Sequence, residues 1–360
     1  MGVVWEGVHR SQALPVAIKV LTAVGAQDET FRQAFSNEVR AVARLHHPSI
    51  INLLDYGVTD EALCEASEGV FAAGSQYYAM ELATGGTLPK TKTPLPWVQM
   101  RFLLLELLDA LAHAHARDVI HRDIKPGNIL LMQQGAYSRV MLTDFGIAKA
   151  VGVKELQDGV VAGTPRYMAP EQILNATRDQ GPWTDLYSLG CIAYQFATGK
   201  RIFSHVSGTA VLRCQLHEDP EPVSGRHLPE GFQKWLSKML AKKVMDRFEY
   251  AAEAAWELVS LPDPEVAEPD KSAVNSGQSA ILDSCELNIA ADGGASSIFH
   301  SLYRPEQLSV IGTGSEGADD IAEELLADVG DTVRMDSSDV ARLISQNEKM
   351  SHERSSKCGQ

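Results

Sequence analysis

The sequence predicts an α+β fold in two lobes, a small β-rich one and a larger α-helical one, followed by a disordered acidic tail. Three observations carry this. Short runs rich in β-branched residues fill much of 1–82, helical patterns dominate 83–261, and proline and acid at 262–270 open a tail to 360 rich in Ser, Gly, Ala and Asp.

In the first part, 3–8 and 16–21 read as strands joined by a polar turn. A helix is predicted over about 29–46, where Phe31, Phe35, Glu38, Val42 and Leu45 recur at steps of four, three, four and three and so share one face. One of the five is a carboxylate. A charge inside an apolar stripe is costly unless paired, and Lys19, closing Val16-Ala17-Ile18-Lys19, is the expected partner. His46-His47-Pro48 should end the helix; the histidine pair has no further ligands at metal spacing. Strands follow near 50–56 and 76–82, separated by a long polar connector over 57–75.

Gly85-Gly86 then breaks the chain, and the remainder of the domain reads as helical apart from the segments around 121–146. Leu103, Leu104, Leu107, Leu108 and Leu111 form an apolar helical pattern within 97–116, and further helices are expected over 184–198, 231–243 and 250–261. Residues 139–143 read as a strand. The tail beyond 262 is poor in large apolar residues and should not offset its ordering entropy. Within it, 319–329 and 338–348 are patterned as transient helices suited to docking on a partner, but the tail as a whole reads first as a disordered solubilising segment.

Charge and cysteine usage exclude several classes. The net charge is −15, and 263–360 holds 19 Asp/Glu against 7 Lys/Arg, or −12, leaving −3 for 1–262. Nucleic-acid binding needs a basic footprint that this chain lacks. The tail would be repelled by an anionic membrane surface. There is no run of eighteen or more apolar residues to span a membrane. Five scattered cysteines without a Cys-x-x-Cys pair suggest neither a disulfide framework nor a zinc site, and Cys191, in an apolar run, reads as a core residue. A cytoplasmic location is expected.

The run His121-Arg122-Asp123-Ile124-Lys125-Pro126-Gly127-Asn128 carries the chemistry. Phosphoryl transfer needs a carboxylate to orient the attacking hydroxyl, a cation for the developing charge, and oxygen ligands for magnesium. Asp123, Lys125 and Asn128 can supply all three. His121, Arg122 and Asp123 with Lys125 and Asn128 at fixed offsets arise by chance about once in millions of positions, and Asp144-Phe145-Gly146, a second metal ligand in a sharp turn, follows at a sensible distance. Reading Asp123 as a turn residue, Asn128 as a cap and Asp144 as a strand terminus leaves that coincidence unexplained.

With these residues assembled, the chain from Met1 to about Leu261 resembles the eukaryotic-like serine/threonine protein kinases. Matching motifs are Val16-Ala17-Ile18-Lys19, Glu38, the 121–128 loop, Asp144-Phe145-Gly146, Gly163-Thr164-Pro165-Arg166-Tyr167-Met168 and Ala169-Pro170-Glu171. The resemblance implies a two-lobed kinase fold and transfer of the γ-phosphate of ATP to Ser/Thr hydroxyls of protein substrates, with Mg2+. It implies that Asp123 orients the hydroxyl and that Lys125 neutralises the transferring phosphate. Lys19, paired with Glu38, would hold the α/β phosphates, and Asn128 and Asp144 the metal. Met80 would guard the adenine pocket; backbone groups of Glu81 and Ala83 would bond the base, and Gly2, Val4 and Ala17 would line the nucleotide. Glu171 should pair with Arg247, and Asp185 should hold the catalytic-loop backbone. Lys125 with Thr164 is the serine/threonine pattern.

Two departures stand out. Of the glycine-rich phosphate cover only the end, Gly2-Val3-Val4, is present, which predicts weak ATP binding, an exposed strand edge and a natural start upstream of Met1. Residues 147–163 contain no Ser, Thr or Tyr, so Glu155 or Asp158 is expected to serve Arg122 as a permanent substitute for an activating phosphate. The incomplete cover motivates an alternative, a catalytically weak or inactive kinase-like scaffold. A small-molecule kinase is disfavoured because 164–171 and Asp185 match a protein-substrate platform.

Overall fold

A computed structural model describes residues 2–9, 13–21, 29–61, 72–88, 92–134, 137–146, 165–174, 176–204, 208–225 and 227–264. Strands β1 (Gly2–His9) and β2 (Leu14–Leu21) pair antiparallel, and β3 (Leu53–Val58) and β4 (Gln76–Glu81) complete a sheet of order β1-β2-β4-β3. Strand β2 is therefore internal, with Val16, Ala17, Val20 and Leu21 buried. Strand β1 lies at the edge, as expected, and exposes Val4, Trp5 and Val8.

Helix α1 (Glu29–Val42) turns Phe35, Val39 and Val42 into a core shared with Tyr78 and Met80 of β4. It stops at Val42, short of the expected 46, because a turn at 43–44 intervenes before Pro48. The chain then joins the two halves: Ile51 N–H donates to the Leu142 carbonyl and Leu142 N–H to the Ser49 carbonyl, each at 2.9 Å.

Helix α2 (Trp97–His115) is apolar on nearly every side and runs through the centre of the second lobe, as a helix without a polar face must. Behind it the chain forms a hairpin, β5 (Ile129–Gln134) and β6 (Tyr137–Leu142). Among the described residues five helices follow: α3 (Pro170–Ile173), α4 (Pro182–Thr198), α5 (Gly208–His217), α6 (Phe232–Met239) and α7 (Ala251–Val259). Helix α4 ends on Gly199 in the left-handed region (φ 67°), where a Cβ would meet the Lys92 carbonyl at 2.6 Å.

Three elements depart from the sequence reading, β5, α3 and α5, none of which it assigns individually. Residues 62–71 of the connector, the activation segment over 147–164, and 265–360 with its two helical patterns lie outside the described residues. Among the described residues no helix is long and apolar enough to cross a membrane.

Candidate active site

The loop carrying Asp123 leaves the end of α2 and is held through its backbone. Asp185, near the start of α4 and fully buried, accepts the N–H of His121 on Oδ2 (2.8 Å) and of Arg122 on Oδ1 (2.7 Å). His115 Nε2 meets the same Oδ2 at 2.8 Å. Burial alone would raise the Asp185 carboxyl, but the His115 bond and charge and the His121 contacts outweigh it and hold the group below its ordinary value. The expectation for Asp185 is met. Arg122 itself adopts positive φ (62°), and its carbonyl accepts Gln172 Nε2 at 2.8 Å.

His121 welds this loop to the next motif. Its Nε2 donates to the Thr143 carbonyl at 2.8 Å, its Nδ1 accepts the Asp123 N–H at 3.3 Å, and burial pushes its pKa down, so the ring is the neutral Nε2–H tautomer. Its carbonyl accepts the Gly146 N–H at 2.9 Å, and its ring lies 4.5 Å from that of Phe145. Asp123 and Asp144 are thus fixed from the same residue. Asp123 Oδ2 accepts Lys125 Nζ at 2.9 Å and Asn128 Nδ2 at 3.0 Å; the same Nδ2 donates to the Asp123 carbonyl at 2.8 Å. Pro126 opens the short 3-10 turn Pro126–Asn128 that aims Asn128 back at Asp123.

The first lobe contributes one face of its sheet. Val4 pairs with Lys19, Lys19 with Tyr78, and Ala17 with Met80; side chains alternate along a strand, so these five residues share a face. Met80 is buried, and its sulfur accepts the Thr143 hydroxyl at 3.4 Å. Glu81 donates its N–H to the Asn52 carbonyl at 3.1 Å, Ala83 follows half-buried, and Gly2 begins β1 opposite Leu21.

One pairing needs correction. Lys19 Nζ lies 2.5 Å from Asp144 Oδ2 rather than against Glu38, and no Lys19–Glu38 ion pair occurs among the described residues. The Glu38 carboxylate instead stands over Gly146, with Oε1 2.7 Å from where a Cβ would sit, and this approach together with φ 39° explains the glycine. Burial raises the Glu38 pKa, and the Arg122 charge opposes that rise. The physical reason is proximity: two carboxylates compete for one lysine, and Asp144 lies nearer. Glu155, Asp158 and Thr164 fall outside the described residues, so the phosphate-substitute reading has no geometry here.

Beneath the loop, Glu171 and Arg247 form a buried two-point pair, both N–O distances 2.9 Å, with Thr184 Oγ1 on Glu171 Oε1 at 2.8 Å. That pairing matches the expectation. Sequence reasoning missed Tyr78, whose hydroxyl donates to Asp144 Oδ1 at 2.6 Å, and His115. No motif signals Tyr78; only the strand register places it opposite Lys19.

The donor set fits a hard divalent cation. Asn128 commits Nδ2 to Asp123, which leaves its amide oxygen for a cation. Burial would raise Asp144, but the Lys19 charge and the Lys19 and Tyr78 hydrogen bonds hold it below the ordinary carboxylate range. One carboxylate and one amide oxygen suit an ion of the kind held jointly by protein and phosphate. Among the described residues no group of three His, Cys, Asp or Glu forms a self-sufficient metal site.

A carboxylate flanked by lysine and amide, and joined through one histidine to a second carboxylate beneath a β-sheet, has the make-up that phosphoryl transfer requires. The protein kinase domain family matches residues 1–257. The serine/threonine-protein kinase PknA of Mycobacterium tuberculosis is 37% identical over 253 residues, 69% of this chain and 55% of its own length. PknB of Mycobacterium leprae is 34% identical over 278 residues, 75% of this chain and 42% of its own length. Among solved structures, the PknI kinase domain of M. tuberculosis superposes with a TM-score of 0.54 at 28% identity, covering 72% of this chain and 89% of that one. The chain belongs to the protein kinase family, whose members use ATP and a divalent metal. It spans about half the length of the curated relatives it matches.

Proposed function

We propose that this chain is a serine/threonine protein kinase that transfers the γ-phosphate of ATP, as its Mg2+ complex, to hydroxyls of protein substrates. The observation that carries this is the Asp123 carboxylate, held by Lys125 and Asn128 at 2.9 and 3.0 Å and tied through His121 to the turn bearing Asp144. Asp123 orients the incoming hydroxyl and takes its proton. Lys125 faces the charge that develops on the transferring group, and Lys19 holds the α/β phosphates. Bound Mg2+ supplies the positive charge that neutralises phosphate oxygens, with Asn128 and Asp144 as its protein ligands. Ala17, Met80, Glu81 and Ala83 line the base, and Gly2 and Val4 cover the phosphates.

We take 1–82 and 83–261 as the two lobes and 262–360 as an acidic segment for docking a protein partner. Two free buried cysteines, Cys191 and Cys214, support a reducing, cytoplasmic setting. The test is phosphate transfer from radiolabelled ATP to a generic basic protein. Label on serine and threonine is expected, and Asp123→Asn should lower the rate about 10²–10⁴-fold with unchanged circular dichroism. Labelling no higher than that of Asp123→Asn would favour the scaffold instead.

A further inference from the structure

The strand register sets Tyr78 of β4 directly opposite Lys19 of β2. Opposed side chains share a sheet face, and these two converge on one carboxylate. Lys19 takes Asp144 Oδ2, and the Tyr78 hydroxyl donates to Oδ1 at 2.6 Å. Tyr78 is 1% exposed, and its ring packs 6.4 Å from Phe35 of α1. A buried phenol needs a hydrogen-bond partner. Here the partner is the carboxylate that the kinase reading needs for its cation, yet none of the roles assigned above uses Tyr78.

The two donors differ in what they can do next. Lys19 ends a flexible four-carbon stem and must leave Asp144 to reach phosphate. Tyr78 has two side-chain torsions and a ring locked between strand and helix, so it stays. It is also neutral, and therefore does not repel an arriving cation as an ammonium does. Its O–H occupies one lone pair of Oδ1 and leaves Oδ2 and a second lone pair of Oδ1 for a metal.

We propose that Tyr78 is a positioning residue: its hydroxyl holds the Asp144 carboxylate in the orientation that receives the divalent cation, and so sets cation affinity after Lys19 has changed partner. The inference rests on the kinase reading only for the identity of what Asp144 binds. Groups that hold a metal ligand in place typically contribute 10–100-fold to metal affinity.

The experiment titrates the full chain with Mn2+ in the presence of ADP, reading free Mn2+ by electron paramagnetic resonance. Tyr78→Phe, which removes only the hydroxyl, should weaken Mn2+ binding about tenfold or more, and Tyr78→Leu should do the same. Tyr77→Phe is the control, since Tyr77 lies on the opposite sheet face with its ring over Gly57; it should bind as the wild type does. In phosphotransfer the half-saturating Mg2+ should rise by the same factor in Tyr78→Phe. An unchanged Mn2+ midpoint in whichever Tyr78 variant folds overturns the proposal, and so does equal weakening in Tyr77→Phe. If the wild type binds Mn2+ and ADP but transfers no phosphate, the kinase reading fails, and the Mn2+ midpoints still decide the role of Tyr78.

Discussion

Around Asp123 side chains grip the main chain of the loop, whereas at the charged end of Lys19 the contacts run from side chain to side chain. Asp185 grips two consecutive N–H groups, His121 ties its ring and its carbonyl to the Thr143–Gly146 turn, and Asn128 reaches the Asp123 carbonyl. On the sheet face, Lys19 meets Asp144, Tyr78 meets the same carboxylate, and Glu38 feels Arg122. A loop clamped by its main chain cannot change register without unfolding locally. A set of side-chain pairs can exchange partners while every strand stays in place, and exchange is what a phosphate-binding lysine requires. Loss of a clamp beneath the first region should therefore appear as lost stability, and loss of a partner in the second as lost function with the fold retained.

The largest expected effect tests the first half of that contrast. Arg247→Ala strands the buried Glu171 carboxylate and removes four guanidinium contacts beyond it, to the carbonyls of Ala241, Trp183 and Lys242 and the ring of Tyr187. Removing one partner of a buried pair costs about 3–5 kcal/mol, read as a lower urea midpoint. A loss under about 1 kcal/mol, the scale of a surface pair, would show that the platform below the loop is not its support.

Next comes the opposite behaviour on the sheet face. Lys19→Met should slow phosphate transfer about 10²–10³-fold, some 2.7–4 kcal/mol of barrier, while its urea midpoint stays close to wild type because Asp144 keeps the Tyr78 hydrogen bond. A Lys19→Met chain that unfolds like Arg247→Ala would erase the distinction between the two regions.

What could be read in advance divides along the same line. The 121–128 run and Asp144 are legible because their spacing is local: a few consecutive residues contain the whole arrangement. The long helix over 97–115 is legible from its periodicity, and Glu171 with Arg247 from the family pattern. Ile129–Gln134 was not, since a short apolar run fits a buried strand and a buried helix equally. Helix α5 mixes Thr, Arg, Gln and His with its buried Val211, Leu212, Cys214 and Leu216, so its stripe is faint. Tyr78 was invisible because its role depends on which β2 residue faces it, which is a property of register. The Lys19 partner is not legible for a related reason: Glu38 and Asp144 are both acids, and nothing in a linear sequence ranks two distances.

The smallest expected effect probes whether the loop clamp is truly ionic. Asp185 is held below its ordinary value in the folded chain, so its contribution to stability is fully present above the unfolded carboxyl value of about 3.9 and disappears as the pH falls through the lower folded value. Asp185→Asn keeps one acceptor oxygen but sets an amide N–H against the remaining donors, and hydrogen bonds to a charged group contribute about 1.5–3 kcal/mol. At pH 7 the variant should thus be less stable by roughly 2 kcal/mol. As the pH falls below about 4 the gap should narrow, because the wild-type carboxyl then approaches protonation while the amide does not titrate. Urea midpoints of both chains across pH 7 to pH 2 measure this directly. A gap of constant size would mean that the carboxylate charge contributes nothing, and that shape alone holds His121 and Arg122 in place.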